Sequence, residues 1–157
     1  MAQTKTNAMR ILDSAGVSYK QHEYDSDGFI DGVTVAHKAG LPPEKVFKTL
    51  VAQGASRAYY VFVIPVEKEL NLKAAAKAVG EKSVEMIKVA DINKITGYIR
   101  GGCSPVGMKK AYRTVIDSAC ESLDTVVVSA GRLGVQIELT PADLCRAVPC
   151  DISDITA

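Results

Sequence analysis

The chain lacks the features that mark most simple functional classes. It has no run of like charge, no acidic tail and no stretch rich in proline and serine. A disordered arm or interdomain linker therefore has no place in it, and residues 1–157 read as one domain with its own core. Its longest apolar run, Ala58 to Val66, has the length of a strand and is too short to span a bilayer. The segment Met1 to Lys5 is followed by no apolar block of the kind a secretory signal needs. The expectation is a cytoplasmic protein with no membrane partner.

Histidine is scarce, with His22 and His37 alone, and the four cysteines form no CxxC pair. That argues against structural zinc and leaves free thiols in a reducing compartment. No metal and no cofactor is expected. Basic excess is missing too: 19 Lys and Arg face 18 Asp and Glu, for a net charge of +1. A dedicated nucleic-acid binder shows a basic excess or stripe. Any RNA contact here must use a local patch or a partner's help. No phosphate-loop or dinucleotide glycine spacing occurs, and no internal repeat.

What remains is 47% apolar and 24% charged, an ordinary globular composition. The chain begins with a helix over residues 4–15, apolar at Ala8, Ile11, Leu12 and Ala15, with Gly16 as its stop. A strand over 18–24 and a loop over 25–32 follow, the loop holding Phe29 and Ile30, which are placed to fold over something. Residues 33–39 form a short helix closed by Gly40. Two strands, 46–52 and 57–65, make a hairpin. Asn71 caps a helix that runs to Val79 and ends at Gly80. A short strand at 83–87 precedes a helix at 90–96, stopped by Gly97. Strands at 113–117, 125–130 and 135–139 follow, the valine-rich second one central and covered on both faces. Thr140 and Pro141 open a last helix through Ala147, and a short strand sits near 147–149. Hairpin groups with helices between them predict an α+β fold with a mixed or largely antiparallel sheet.

The richest stretch is Gly101-Gly102-Cys103-Ser104-Pro105-Val106-Gly107-Met108-Lys109-Lys110. Its glycines and proline hold a defined shape, and its bare amides can approach a ligand. A serine nucleophile at Ser104 fails: the residue after it must donate an N–H to the oxyanion, and Pro105 has none. Cys103 could act as a nucleophile if His22 or His37 approached it, or could be a small half-buried thiol. Cys120, Cys145 and Cys150 read as structural. The loop amides of Gly102, Cys103 and Ser104 could form a nest for an oxyanion or carbonyl. Lys109, Lys110 and Arg113 could meet phosphates or simply form a solvated basic surface.

Lys48 stands out in Val46-Phe47-Lys48-Thr49-Leu50-Val51-Ala52, which is otherwise apolar except for Thr49. By alternation Lys48 shares a face with Val46 and Leu50. A lysine on a covered face must reach a partner or a cavity. On an exposed edge it would only discourage aggregation.

These pieces together resemble the YbaK/EbsC proteins, which are related to the editing domain inserted in bacterial prolyl-tRNA synthetases. The resemblance runs from about Ala8 to Ile155. It rests on Val46 to Leu50, Leu72 to Ala78, Val84-Glu85-Met86, Thr96-Gly97-Tyr98, the glycine loop, Val128-Ser129-x-Gly131 and Ile137-Glu138-Leu139. It implies a YbaK-like fold with a strongly curved, barrel-like mixed sheet flanked by helices. It also implies deacylation in trans of mischarged tRNA, with cysteine on proline tRNA as the YbaK-like substrate and prolyl-tRNA synthetase as a partner. A binding module without turnover, or a general small-ester hydrolase, would use the same pocket. Carried over by position, Lys48 is the essential lysine. Tyr24, Thr49, Gly101, Gly102, Cys103, Ser104, Pro105, Ser129 and Gly131 would bind substrate. Two departures concern the amino-acid preference. Cys103 stands where relatives carry an apolar residue such as isoleucine. The stretch between Tyr24 and Gly40 is slightly short, with Asp31 where an aromatic is usual and Phe29 nearby.

Overall fold

The computed structural model describes residues 5–25 and 31–157. Phe29 and Ile30 lie outside the described residues. The first helix, α1 (Asn7–Ser14), is capped by Thr6, whose hydroxyl accepts from the Met9 amide. Strand β1 (Lys20–Glu23) follows, then α2 (Gly32–Ala39), capped by Asp31 and closed by Gly40 in the left-handed region. The hairpin is β2 (Phe47–Gly54) and β3 (Tyr59–Pro65). Asn71 caps α3 (Leu72–Val79) by accepting from the Lys73 and Ala74 amides. Each such cap contributes about 1 kcal/mol. Then come β4 (Val84–Met86), the short α4 (Ile92–Thr96), β5 (Arg113–Asp117), β6 (Val126–Arg132), β7 (Val135–Leu139), α5 (Pro141–Ala147) and β8 (Cys150–Ser153).

The strands form two sheets. The larger has the order β4-β2-β3-β5-β8, antiparallel through β4, β2 and β3 and parallel from β3 to β5 to β8. The smaller is antiparallel, β1-β7-β6. The sheet is thus mixed, as the hairpin grouping predicts. It is not a closed barrel. The two sheets meet through one isolated parallel bridge, Val46 to Val127, and the ladder goes no further.

Strand β3 shows why its sequence is continuously apolar. Val61 and Val63 face the space between the sheets, with Met9, Leu12, Ile116, Val126, Val128 and Ile137. Phe62 and Ile64 face the other way, onto Ala75, Ala76 and Val79 of α3. A strand covered on both faces has no polar side to show. β6 is apolar for a related reason, although it is an edge of its ladder and β7 is the middle strand. Val126 and Val128 enter the main core, while Val127 packs with Ala36, Val46 and Val66.

The tail departs from the sequence reading. Helix α5 runs through Ala147, and the last strand begins at Cys150, parallel to β5. Pro149 has no N–H to give a ladder, which moves the strand beyond it. Ile155 is fully buried, its amide donating to Asp117 and its carbonyl accepting from the Asn71 amide. Cys120 is buried beneath α5, and the sulfurs of Cys145 and Cys150 lie 2.9 Å apart.

One ion cluster ties the junction of the sheets. Glu138 on β7 accepts from Lys45 Nζ at 2.9 Å, meets His22 Nε2 at 2.6 Å and accepts from the Thr125 hydroxyl. Burial pushes its carboxyl upward, but the hydrogen bonds from Thr125, His22 and Lys45 outweigh that and hold it at about 2, against an ordinary 4.5. A depressed carboxyl contributes stability above the unfolded-state value and loses it as pH falls through the folded one. The contribution at neutral pH is about 3 kcal/mol. Glu138→Gln is therefore expected to lower the urea-unfolding free energy by about 2–3 kcal/mol at pH 7. The gap to wild type should close as pH falls from 4.5 toward 2. A gap that is unchanged across that window would show that the carboxylate's charge is not what stabilises the junction.

Candidate functional site

Beyond the Val46–Val127 bridge, β2 and β6 run in the same direction without pairing. Further along the same edge β4 covers only Ala52 to Gly54, and Ile87 adds one bond to the Val51 carbonyl. Residues 47–50 are thus a bare strand edge. Along it opens a cavity of about 530 Å³. Its walls include Lys48, Thr49 and Leu50 of β2, Ser129 of β6, Gln136 of β7 and Cys103 of the glycine loop.

Lys48 pairs in register with Ile64 of β3 and is half-buried. Among the described residues no hydrogen bond or ion pair holds its ammonium. Lys48 thus stands both on a strand edge and beside a cavity. Thr49 is next to it on the opposite face, and its hydroxyl oxygen is buried with no hydrogen-bond partner among the described residues. The side-chain oxygen of Gln136 is in the same condition. An orphaned buried polar atom costs about 1–3 kcal/mol. Two in one cavity place polar chemistry where a core would have none.

The glycine loop is braced by Tyr98. The Tyr98 hydroxyl donates to the Val106 carbonyl at 2.5 Å. Its ring lies where a side chain at Gly131 would be: a Cβ there would meet ring carbon Cε1 at 2.8 Å. A Cβ at Gly107 would meet the same hydroxyl at 2.9 Å. Both glycines have positive φ, 99° at Gly131 and 80° at Gly107, so space and backbone both demand glycine. Burial, with the neighbouring Cys103 as a second cause, pushes the Tyr98 phenol up to about 12, so it remains a donor. The Tyr98 amide in turn donates to Thr96 Oγ1, which anchors the loop to the end of α4.

The predicted site residues separate into groups. Lys48, Thr49, Gly101, Cys103 and Ser129 come together at the cavity. Gly102 packs against the backbone of Arg132 and Leu133, and its amide donates to the Ile99 carbonyl, so the nest keeps only the Cys103 and Ser104 amides. Ser104 is fully buried, with its hydroxyl accepting from the Val106 amide, and Pro105 is buried beside it. Gly131 serves as the slot for Tyr98. Tyr24 lies at a second, polar cleft with Glu23, Asp25 and Lys38, and its amide donates to the Gly134 carbonyl. Arg113 is engaged with Asp151 and the carbonyls of Ala78 and Val79, and Lys109 donates to the Lys94 carbonyl. Sequence reasoning missed Gln136. Its signal was a glutamine on the middle strand of a sheet, between Val135 and Ile137, which enter the core.

Cys103 has no base. Neither histidine lines the cavity, and His22 is bonded to Glu138. Burial pushes the Cys103 thiol up to about 11, with a hydrogen bond from Thr96 pulling weakly the other way.

Residues 32–147 match the aminoacyl-tRNA editing domain family. The chain is 42% identical over 155 residues to an Enterococcus faecalis (strain ATCC 700802 / V583) protein provisionally named Cys-tRNA(Pro)/Cys-tRNA(Cys) deacylase EbsC. That match covers 98% of this chain and 94% of the relative. A proline–tRNA ligase of Fervidobacterium nodosum is 29% identical over 94 residues, covering 60% of this chain and 16% of the ligase. Among solved structures, that of a hypothetical protein superposes with a TM-score of 0.88 at 22% identity, covering 97% of this chain and 100% of that one. A provisional trans-editing enzyme for prolyl-tRNA synthetase gives 0.83 at 20% identity, covering 98% and 99%. These two share the fold. The fold and sequence thus define an aminoacyl-tRNA editing domain. Within that class, the chain belongs to the YbaK/EbsC-like trans-editing family.

The state of Cys103 generates a direct expectation. With its thiol at about 11, only about one molecule in ten thousand carries a Cys103 thiolate at pH 7. Iodoacetamide should therefore label Cys103 slowly at pH 7, with the rate rising about tenfold per pH unit up to pH 10. Peptide mapping by mass spectrometry reads this. Fast labelling at neutral pH would mean an activated thiol and would reopen the nucleophile reading.

Proposed function

We propose that this chain removes cysteine, or a similar small amino acid, from mischarged tRNA(Pro) in trans, in the cytoplasm and alongside prolyl-tRNA synthetase. The observation that carries the reading is Lys48. An ammonium with no partner among the described residues stands on a strand edge, at the same cavity as the glycine loop. An anionic or carbonyl-bearing ligand is the chemistry that such a cation complements.

An aminoacyl-tRNA ester is already activated. Positioning and stabilisation of the developing oxyanion can supply much of the rate, and no enzyme nucleophile is needed. Lys48 holds the 3′ end or the ester carbonyl, and the Cys103 amide faces the charge that develops on the carbonyl oxygen. For cysteine, the substrate thiolate attacks its own carbonyl carbon. The carbon–oxygen bond to the ribose breaks, the ribose oxygen takes a proton, and a cyclic thioester leaves. For an amino acid without a thiol, water takes that role. The net charge of +1 suits weak tRNA binding that a synthetase partner reinforces.

Lys48→Ala is expected to lower turnover of Cys-tRNA(Pro) by roughly 10²-fold or more, with an unchanged circular dichroism spectrum. Cys103→Ala should keep most of the turnover. Ester loss across a panel of mischarged tRNAs checks both. Full activity in the lysine variant would remove Lys48 from the mechanism. Binding without ester loss across the panel would establish a binding module instead, and cleavage of simple esters without tRNA a general hydrolase.

A further inference from the structure

Gln136 is the cavity residue that this mechanism leaves unused. It pairs with Ser129 on one side and His22 on the other, so its backbone is spent in two ladders. Its side chain is 6% exposed and lines the cavity. Its oxygen is buried with no hydrogen-bond partner among the described residues, and a half-turn of the amide end would exchange that oxygen with the NH₂ group. With its oxygen turned to the cavity, the amide offers an acceptor to a ligand N–H.

We propose that the Gln136 amide seats the α-amino group of the substrate, so that the cavity selects an aminoacyl ester over the same ester lacking its α-nitrogen. This rests on the aminoacyl-ester reading above. In the acyl part of a small aminoacyl ester, the α-amino group carries the only N–H bonds. Lys48 stands on β2 and Gln136 on β7, so a substrate that directs its carbonyl to the lysine can keep its own amino group at the opposite wall. Two like charges are then held apart. A neutral amide accepts from the amino group whether or not that group is protonated. The carboxylates at the same cavity are less suited. Asp31 is occupied by the Thr34 amide and hydroxyl, and Glu69 is exposed to solvent. A site that hydrogen-bonds a substrate group rejects the analogue lacking it, because its own buried atom is left unpaired.

The test uses two non-hydrolysable amides of 3′-amino-3′-deoxyadenosine, one carrying cysteine and one carrying 3-mercaptopropionate, which lacks the α-nitrogen. Calorimetry on the full chain should show the cysteinyl amide binding at least about tenfold more tightly. Gln136→Leu should erase that preference while leaving the mercaptopropionyl affinity within about twofold and the melting temperature no lower. Gln136→Met gives the same reading where a branched side chain disturbs packing. Glu69→Gln should keep the preference. A tenfold preference that survives in both Gln136 variants, or that is lost in Glu69→Gln, overturns the proposal. Binding of neither amide by the wild-type chain sinks the aminoacyl-ester reading itself.

Discussion

The structure depends on a seam that starts to close and stops. At Val46 and Val127 the two sheets share one parallel bridge. Had the ladder continued, β2 and β6 would have joined the sheets there and residues 47–50 would have spent their outer amides and carbonyls on β6. Each further bond would have added about 0.5–1.5 kcal/mol. The chain gives up that stabilisation over one short stretch and gains a cavity whose wall is a strand edge. A strand edge is a rigid place from which to present a side chain, and Lys48 is the side chain presented.

Both ends of the seam are held by dedicated contacts. At the closed end Glu138 gathers Lys45, His22 and Thr125, residues that flank β2, lie on β1 and precede β6. Lys45 is one residue from the bridge and three from Lys48, so the cluster sets where β2 enters the site. At the open end Tyr98 fills the space left by Gly107 and Gly131, fixing the glycine loop against β6 where its register shifts between Ser129 and Arg132. The lysine and the loop belong to separate elements, 53 residues apart from Lys48 to Gly101. Their relative placement is therefore a property of these two braces rather than of local sequence.

This division also explains what could be read from the residues alone. Local signals were legible wherever one residue sets local geometry. Gly40, Gly80 and Gly97 end their helices in the left-handed region, and Asn71 and Thr140 cap as their side chains dictate. Lys48 was legible because an isolated cation in an apolar strand has few explanations. Features set by distant pairing were not legible. The valine run of β6 is compatible with a central strand or with an edge buried by α2, and only the partner decides. The parallel β8 beyond Pro149 needs β5 to define it. The Gly102 amide looked available because its acceptor, the Ile99 carbonyl, lies within a turn that the local sequence does not specify. Gln136 was passed over because a hairpin strand ordinarily tolerates polar residues on one face. Only the partnerless oxygen and the cavity distinguish it from a solvated one.

The same geometry decides among the chemical options. Nucleophilic catalysis needs a thiolate or alkoxide with a base in reach. Cys103 is desolvated and without an adjacent histidine, and Ser104 is buried with its oxygen used inside the loop. Desolvation that silences a thiol strengthens a cation's field and a free amide's hydrogen bond, because both act on charge that water would otherwise screen. A cavity that disarms its own nucleophiles thus suits a reaction whose attacking atom arrives with the substrate or as water. In such a site, selectivity must come from which group of the substrate each wall can satisfy. Among the described residues, Lys48, Thr49 and Gln136 line the cavity with polar atoms that no protein group satisfies, which makes them the candidates for that choice.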